Sequence, residues 1–284
     1  MIQSLHNGLA YYVAGGGTAA LLMPYPHGFG GLPIVYSPLA SLLRSAGMRT
    51  ISFDPPGAFG STRPARMDMP EMLNCAQETL ECANMRGPLT VVGHSMGGLC
   101  AIAYALSHPE RVKQLILICT LSGGPAIQRY KGMPWGAWLR GWERVHYAYW
   151  GFRLGWGLAG NLALHKHMQR TILKTSFYDK SHVAEISIER DDAQRPAPVR
   201  DTWPRTVFMH RIDYRTQLGS IRAPALVCGG RHDPQAPLGC SEELAQNIPG
   251  AQLVVFEQSG HYPYIEEEDK FKLALRQFLV ANET

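Results

Sequence analysis

The sequence predicts an α/β fold: a mostly parallel central sheet with helices on both faces and a helical insertion between two late strands. Three observations carry that expectation. Before residue 122, short apolar runs alternate with helical stretches, and after residue 222 the same rhythm resumes. Strands that alternate with helices imply βαβ units and hence a parallel sheet. Between these flanks the composition changes. Residues 124–222 hold 16 Lys and Arg against 8 Asp and Glu, or +8, leaving −4 for the rest of a chain whose net charge is +4. All six Trp (135, 138, 142, 150, 156 and 203) lie in the same stretch. We therefore expect a core formed by residues 1–121 and 223–284, with 122–222 inserted as a cap over the carboxyl ends of the strands, where α/β folds bind ligands.

Each element has a local reason. Ala19 to Tyr25 is an apolar run that reads as a strand. Ser37 to Ala46 has helical spacing, and Gly47 would stop it. Arg49 to Phe53 is strand-like and runs into Asp54-Pro55-Pro56-Gly57, where proline removes the ladder donor and forces a turn. Pro70 to Ala83 reads as a helix, Leu89 to Gly93 as a short strand and Met96 to Ser107 as a buried helix of small apolar residues. Val112 to Cys119 is a near-continuous apolar run, as expected of a strand covered on both faces. Beyond the insertion, Ala225 to Cys228 and Gln252 to Phe256 read as strands. Glu242 to Asn247 and Lys270 to Val280 read as helices.

Composition excludes several classes. With 45% apolar and 18% charged residues the chain can bury a large core, so disorder is not expected. A net charge of +4 is too small to argue for nucleic acid. There is no membrane-spanning apolar run, and Met1 to Gly8 lacks the pattern of a secretory signal, so a soluble cytoplasmic protein is expected. The cysteines at 75, 82, 100, 119, 228 and 240 form no CxxC and no zinc-site spacing, and read as small buried hydrophobes. Cys75 and Cys82, seven apart on one helix, are two turns apart and too distant to bridge.

The chemistry centres on Gly93-His94-Ser95-Met96-Gly97, a G-x-S-x-G directly after a strand-like run and directly before a helix-like one. A serine hydroxyl is a poor nucleophile unless exposed, desolvated and next to a base. A tight strand-to-helix turn lifts Ser95 above the sheet edge, with glycines relieving the crowding, and the Met96 N–H opens the following helix toward a developing oxyanion. The plainer alternative is a glycine-rich turn whose serine caps the helix.

On these residues the chain resembles the α/β-hydrolase superfamily, specifically the branch of prolyl aminopeptidases (proline iminopeptidases) and related esterases. The resemblance covers about 1–122 and 217–284 and implies the α/β-hydrolase fold, with an acid after a late strand and a histidine last. Asp233, in Gly229-Gly230-Arg231-His232-Asp233-Pro234, stands where the acid belongs, with His232 as a bystander. His261, in Ser259-Gly260-His261-Tyr262-Pro263, stands where the base belongs. A carboxylate there would orient the imidazole, which would take the proton of Ser95 and pass it to the leaving group. The loop Pro26-His27-Gly28-Phe29-Gly30-Gly31 resembles the family's His-Gly-x loop. That resemblance assigns the Phe29 N–H to the oxyanion hole beside Met96 and gives His27 a structural part. Prolyl aminopeptidases usually carry His-Gly-Gly-Pro-Gly here, and Gly-Gly-Ser-Trp-Gly at the nucleophile, and this chain departs from both.

Competing sites carry less. His165 and His167, two apart in a helical setting, do not share a face, and Asp191-Asp192 reads as a solvated turn, so no metal is expected. Gly15-Gly16-Gly17 lacks phosphate-binding spacing, so no nucleotide cofactor is expected. The expected partner is a small molecule with a hydrophobic or aromatic group, bound by the Trp- and Tyr-rich cap. The expected reaction is ester hydrolysis through an acyl-enzyme on Ser95. Removal of an N-terminal proline is the alternative, and would need cap carboxylates such as Glu143, Glu185 or Glu189 to bind an ammonium. A non-catalytic binding protein on the same fold is the third reading, disfavoured by the complete Ser-Asp-His set.

Overall fold

The structure is a computed structural model, and it describes residues 2–25, 34–64, 68–131, 149, 174–186 and 212–282. Its centre is an eight-stranded sheet of order β1-β2-β4-β3-β5-β6-β7-β8. Strand β1 (Ile2–His6) and β2 (Leu9–Ala14) form an antiparallel hairpin whose register pairs His6 with Leu9. The two connecting residues are Asn7 and Gly8, both at positive φ (46° and 75°), which is the backbone that an Asn-Gly hairpin turn supplies. Strand β2 also runs antiparallel to β4 (Met48–Phe53). From β4 across β3 (Thr18–Met23), β5 (Leu89–His94), β6 (Val112–Ile118), β7 (Ala225–Gly230) and β8 (Gln252–Phe256), neighbouring strands are parallel.

The parallel strands are covered on both faces. Leu21, Val91, Leu115, Leu117 and Val227 point into one apolar cluster with α2 (Met69–Cys82) and α3 (Met96–Ser107). Their alternates Leu22, Val92, Ile116, Ile118 and Cys228 point into the other. That second cluster is closed by α1 (Pro38–Ser45), α7 (Pro263–Glu266) and α8 (Glu268–Ala281). This two-sided burial explains why the strands read as continuous apolar runs rather than alternating ones. Helix starts follow local chemistry: Ser37 Oγ accepts from the Ala40 N–H at 3.1 Å and Asp68 Oδ1 from the Glu71 N–H at 2.8 Å.

The remaining helices are α4 (Gly124–Lys131), α5 (Val183–Ile186) and α6 (Leu238–Asn247). Residues 122–222 lie between β6 and β7, where the sequence places its insertion, but most of that stretch is outside the described residues, including all six Trp, His165, His167, Asp191 and Asp192. The chain enters and leaves it side by side, through a bridge between Gly123 and Asp213. Arg129 of α4 donates to both oxygens of Glu243 on α6 and lies 3.5 Å from Asp213, tying entry and exit to the core. All six cysteines are free, and five are buried. Among the described residues, no helix is long and apolar enough to cross a membrane.

Asp54 follows the last residue of β4. Its carboxyl is fully buried, with Oδ2 accepting from Tyr12 OH at 2.6 Å and from the Gly60 N–H at 3.0 Å. Burial raises its pKa from 3.8 to about 7, against the lowering effect of those two donors. The unfolded chain loses this proton near 3.8 while the folded chain keeps it to about 7. Stability from this group is therefore present below the first value and lost as pH rises through the second. The stability advantage of wild type over Asp54→Asn should shrink by on the order of 2–4 kcal/mol between pH 4 and pH 7 in denaturant titrations. A pH-independent difference would contradict the buried neutral carboxyl.

Candidate active site

The chain runs out along β3 and β4 and then returns across the sheet to β5, so the strand order reverses between β3 and β5. Crevices at such a reversal, outside the carboxyl ends of parallel strands, are where open α/β sheets bind ligands. Ser95 stands there, between the last residue of β5 and the first of α3. Its backbone is strained, with φ 53° and ψ −127°. Neighbours compensate: the Ser95 N–H donates to Ile118 O at 2.9 Å, and its carbonyl accepts from Thr120 Oγ1 at 2.6 Å and the Gly98 N–H at 2.9 Å. The half-buried Ser95 hydroxyl makes no capping bond to the helix, which removes the plainer reading of the motif. The turn is so tight that a Cβ on Gly93 would lie 2.5 Å from both Gly97 O and Gly98 Cα. Met96, half-buried, is the first residue of α3 and presents its N–H at that helix's N-terminus.

Asp233 and His261 arrive from the ends of β7 and β8. His261 Nδ1 donates to Asp233 Oδ2 at 2.7 Å, with both side chains buried. The other carboxylate oxygen, Oδ1, accepts from the N–H groups of Gln235 at 2.7 Å and Ala236 at 3.0 Å. Backbone bonds cross-link the two loops, Arg231 N–H to Phe256 O at 2.9 Å and His232 N–H to Ser259 O at 3.0 Å. His232 itself is exposed and stacks on Tyr178, centroids 4.5 Å apart, consistent with a bystander. An imidazole with its Nδ1–H fixed on a carboxylate presents Nε2 as a proton acceptor.

Several contributors had no individual signal in the sequence. The His261 N–H donates to Ser176 O at 2.7 Å, and Gln235 Nε2 donates to Ser176 Oγ at 2.6 Å, so a segment of the insertion rests on both loops. Glu266 accepts from the N–H groups of Gly260 at 2.7 Å, Tyr178 at 2.6 Å and Asp179 at 3.1 Å, joining the same partners from below. His94, the variable residue between Gly93 and Ser95, is buried with its ring 4.6 Å from that of His261.

Cys119, expected within β6, lies one residue past its end at φ 44°, with its N–H still bonded to Cys228 O of β7 at 2.8 Å. Its sulfur and donor atoms of Asp233 and His261 lie within 4.8 Å of one another. That trio has the donor types of a soft cation, but the imidazole Nδ1 is committed to Asp233 and burial raises the thiol well above its usual pKa. The residues therefore fit a carboxylate–imidazole pair better than a metal. Phe29, with His27 and Gly28, lies outside the described residues, as do Glu143 and Glu189. Glu185 is exposed and paired with His182 at 2.6 Å, not buried as an ammonium anchor would need.

A family model described as "alpha/beta hydrolase fold" matches residues 25–268. A 2-hydroxy-6-oxononadienedioate/2-hydroxy-6-oxononatrienedioate hydrolase of Paraburkholderia phymatum is 30% identical over 194 residues, which is 66% of this chain and 61% of that protein. The chain thus spans about three fifths of that relative's length. A pimeloyl-[acyl-carrier protein] methyl ester esterase of Nitrosomonas europaea is 27% identical over 207 residues, 70% of this chain and 76% of that protein. Among solved structures, an alpha/beta fold family hydrolase from Bacillus anthracis superposes with a TM-score of 0.74 at 21% identity, covering 95% of each chain. These relatives are named for hydrolysis of oxo-diacids and esters. Neither is named for peptides.

The close approach at Gly93 is testable. Gly93→Ala must push apart backbone rather than a flexible side chain, so it should cost about 1–3 kcal/mol. In thermal unfolding that is a midpoint several degrees lower, at roughly 2–4 °C per kcal/mol. A midpoint within a degree of wild type would contradict the turn as described.

Proposed function

The chain belongs to the α/β-hydrolase family, and we propose that it is a serine hydrolase that cleaves carboxylic esters through an acyl-enzyme on Ser95. The observation that carries this reading is the buried Asp233–His261 hydrogen bond at the carboxyl edge of the sheet that also exposes the strained Ser95. A strained, uncapped serine beside a carboxylate-oriented imidazole has little structural use and a clear chemical one.

The reaction follows from the roles. His261 Nε2 takes the proton of the Ser95 hydroxyl as Oγ adds to the ester carbonyl. Negative charge moves to the carbonyl oxygen, which the N–H groups of Met96 and Phe29 receive. The tetrahedral intermediate collapses, the C–O bond breaks, and the alcohol leaves with the proton from His261. Water then repeats the sequence on the acyl-enzyme and frees the acid. Throughout, Asp233 holds His261 in one tautomer and stabilises the imidazolium. Residues 122–222 form the cap that selects the substrate, with their Trp and Tyr side chains favouring a small molecule with a hydrophobic or aromatic group.

One observation favours a second reading. The Paraburkholderia relative is named for an oxo-diacid. A ketone accepts the Ser95 oxygen as an ester carbonyl does; collapse would break a carbon–carbon bond, the leaving carbon taking the electron pair and then the proton held by His261, and water would free the acyl group from Ser95. The +8 charge of residues 124–222 suits a dianionic substrate. Release of N-terminal proline has less support, because Glu185 is exposed and already paired.

Wild type should hydrolyse p-nitrophenyl butyrate, and Ser95→Ala should abolish turnover while keeping the circular dichroism of the parent. Asp233→Asn should lower kcat by roughly 10³–10⁴, because an amide cannot fix the same tautomer. Side-by-side assays with a 2-hydroxy-6-oxo-dienoate and proline β-naphthylamide separate the readings. Faster turnover of either than of the esters would replace the esterase assignment.

A further inference from the structure

We infer that His94 is a positioning residue, which hydrogen-bonds the main chain of His261 to the strand that carries Ser95 and to the loop that leads toward Phe29. This deepens the serine-hydrolase reading and rests on it.

The bonding is one-directional and complete. His94 Nε2 lies 2.8 Å from the carbonyl oxygen of His261. A carbonyl only accepts, so Nε2 carries the proton and Nδ1 is left with a lone pair. Tyr25 OH donates to that Nδ1, and Tyr264 OH lies 3.5 Å from it. The ring is fully enclosed: Tyr25, Tyr262, Tyr264 and His261 surround it, with centroids 5.7, 5.2, 5.3 and 4.6 Å away. Burial first, and the neighbouring His261 second, hold its pKa well below the ordinary value of 6.5, so it stays neutral in this tautomer.

The consequence falls on His261. Its side chain is oriented by Asp233, and its main chain is held on both sides: the N–H by Ser176 O at 2.7 Å and the carbonyl by His94. His94 is also the chain neighbour of Ser95. The Ser95 backbone is therefore linked to the His261 backbone through the His94 residue and one hydrogen bond. Tyr25 extends the chain of bonds to the residues that follow β3, two positions past its end at Met23. A tie of this kind fixes the distance that proton transfer depends on, where a misplacement of 1 Å can cost about 100-fold in rate.

The test compares His94→Leu, which fills much of the space without a donor, with His94→Gln, whose amide nitrogen can reach the His261 carbonyl. Kinetics with p-nitrophenyl butyrate should show kcat lower by roughly 10- to 100-fold in His94→Leu with KM within twofold. His94→Gln should recover most of that loss. If His94→Leu fails to fold, Tyr25→Phe removes only a hydroxyl and should lower kcat several-fold with KM unchanged. Equal kcat in wild type and His94→Leu, equal loss in the Leu and Gln variants, or an unchanged Tyr25→Phe where Leu does not fold, would overturn the inference. Absence of Ser95-dependent turnover in wild type would instead overturn the hydrolase reading itself.

Discussion

A carboxylate and an imidazole buried against each other are costly unless every polar atom is satisfied, and the structure around Asp233 and His261 is arranged by that requirement. Asp233 receives three donors: one from His261 and two from the backbone turn that follows it. His261 has Nδ1, N–H and carbonyl all bonded. Meeting these demands ties the loops after β7 and β8 to each other, to Ser176 from the insertion and to His94 from β5. The pair thus specifies where four separate segments must meet. Removing any one partner would leave a buried polar group unpaired, a loss larger than the net gain from a typical hydrogen bond.

The sheet supplies the rigidity on which these loops stand. Its parallel strands end at one edge, so Ser95, Asp233 and His261, distant in sequence, all stand beyond the ends of neighbouring or near-neighbouring strands, β5, β7 and β8. Strain is concentrated at Ser95 and offset by bonds from Thr120, Gly98 and Ile118, so the elbow stays in an otherwise unfavourable conformation. Glu266 performs a related task from the far side, where one carboxylate gathers N–H groups from the His261 loop and from Tyr178 and Asp179. Through Ser176 and Glu266, residues 176–179 are thus bonded to the loop that carries His261.

Much of this was legible from residue order. Continuous apolar runs located the buried strands, and Met96–Ser107 and Gln252–Phe256 match the structure at both ends. Asp233 and His261 are each expected just past a strand, and the structure places both there, with Nδ1 and Oδ2 2.7 Å apart. The hairpin of β1 and β2 was not anticipated, although Asn7-Gly8 is its turn signal. Only β1 is mixed in polarity, with Leu5 exposed; β2 is an apolar run, Leu9–Ala14, bounded by Gly8 and Gly15, so half of the hairpin carried a strand signal. The strand before Tyr25 ends earlier than expected, at Met23, where Pro24 cannot extend the ladder. His94 escaped notice because G-x-S-x-G leaves its position unspecified, and only tertiary contact shows what the ring bonds. For residues 122–222 the sequence shows aromatic content and charge, but spacing alone does not say which side chains converge.

The most direct measurement is reaction of the native chain with a fluorophosphonate, followed by peptide mapping by mass spectrometry. The proposed mechanism predicts one phosphonyl adduct, on the Ser95 hydroxyl, because Ser95 is half-buried, strained and carried at the sheet edge that also carries the Asp233–His261 pair. A native chain that stays unlabelled, or an adduct on another residue with Ser95 unmodified, would contradict it.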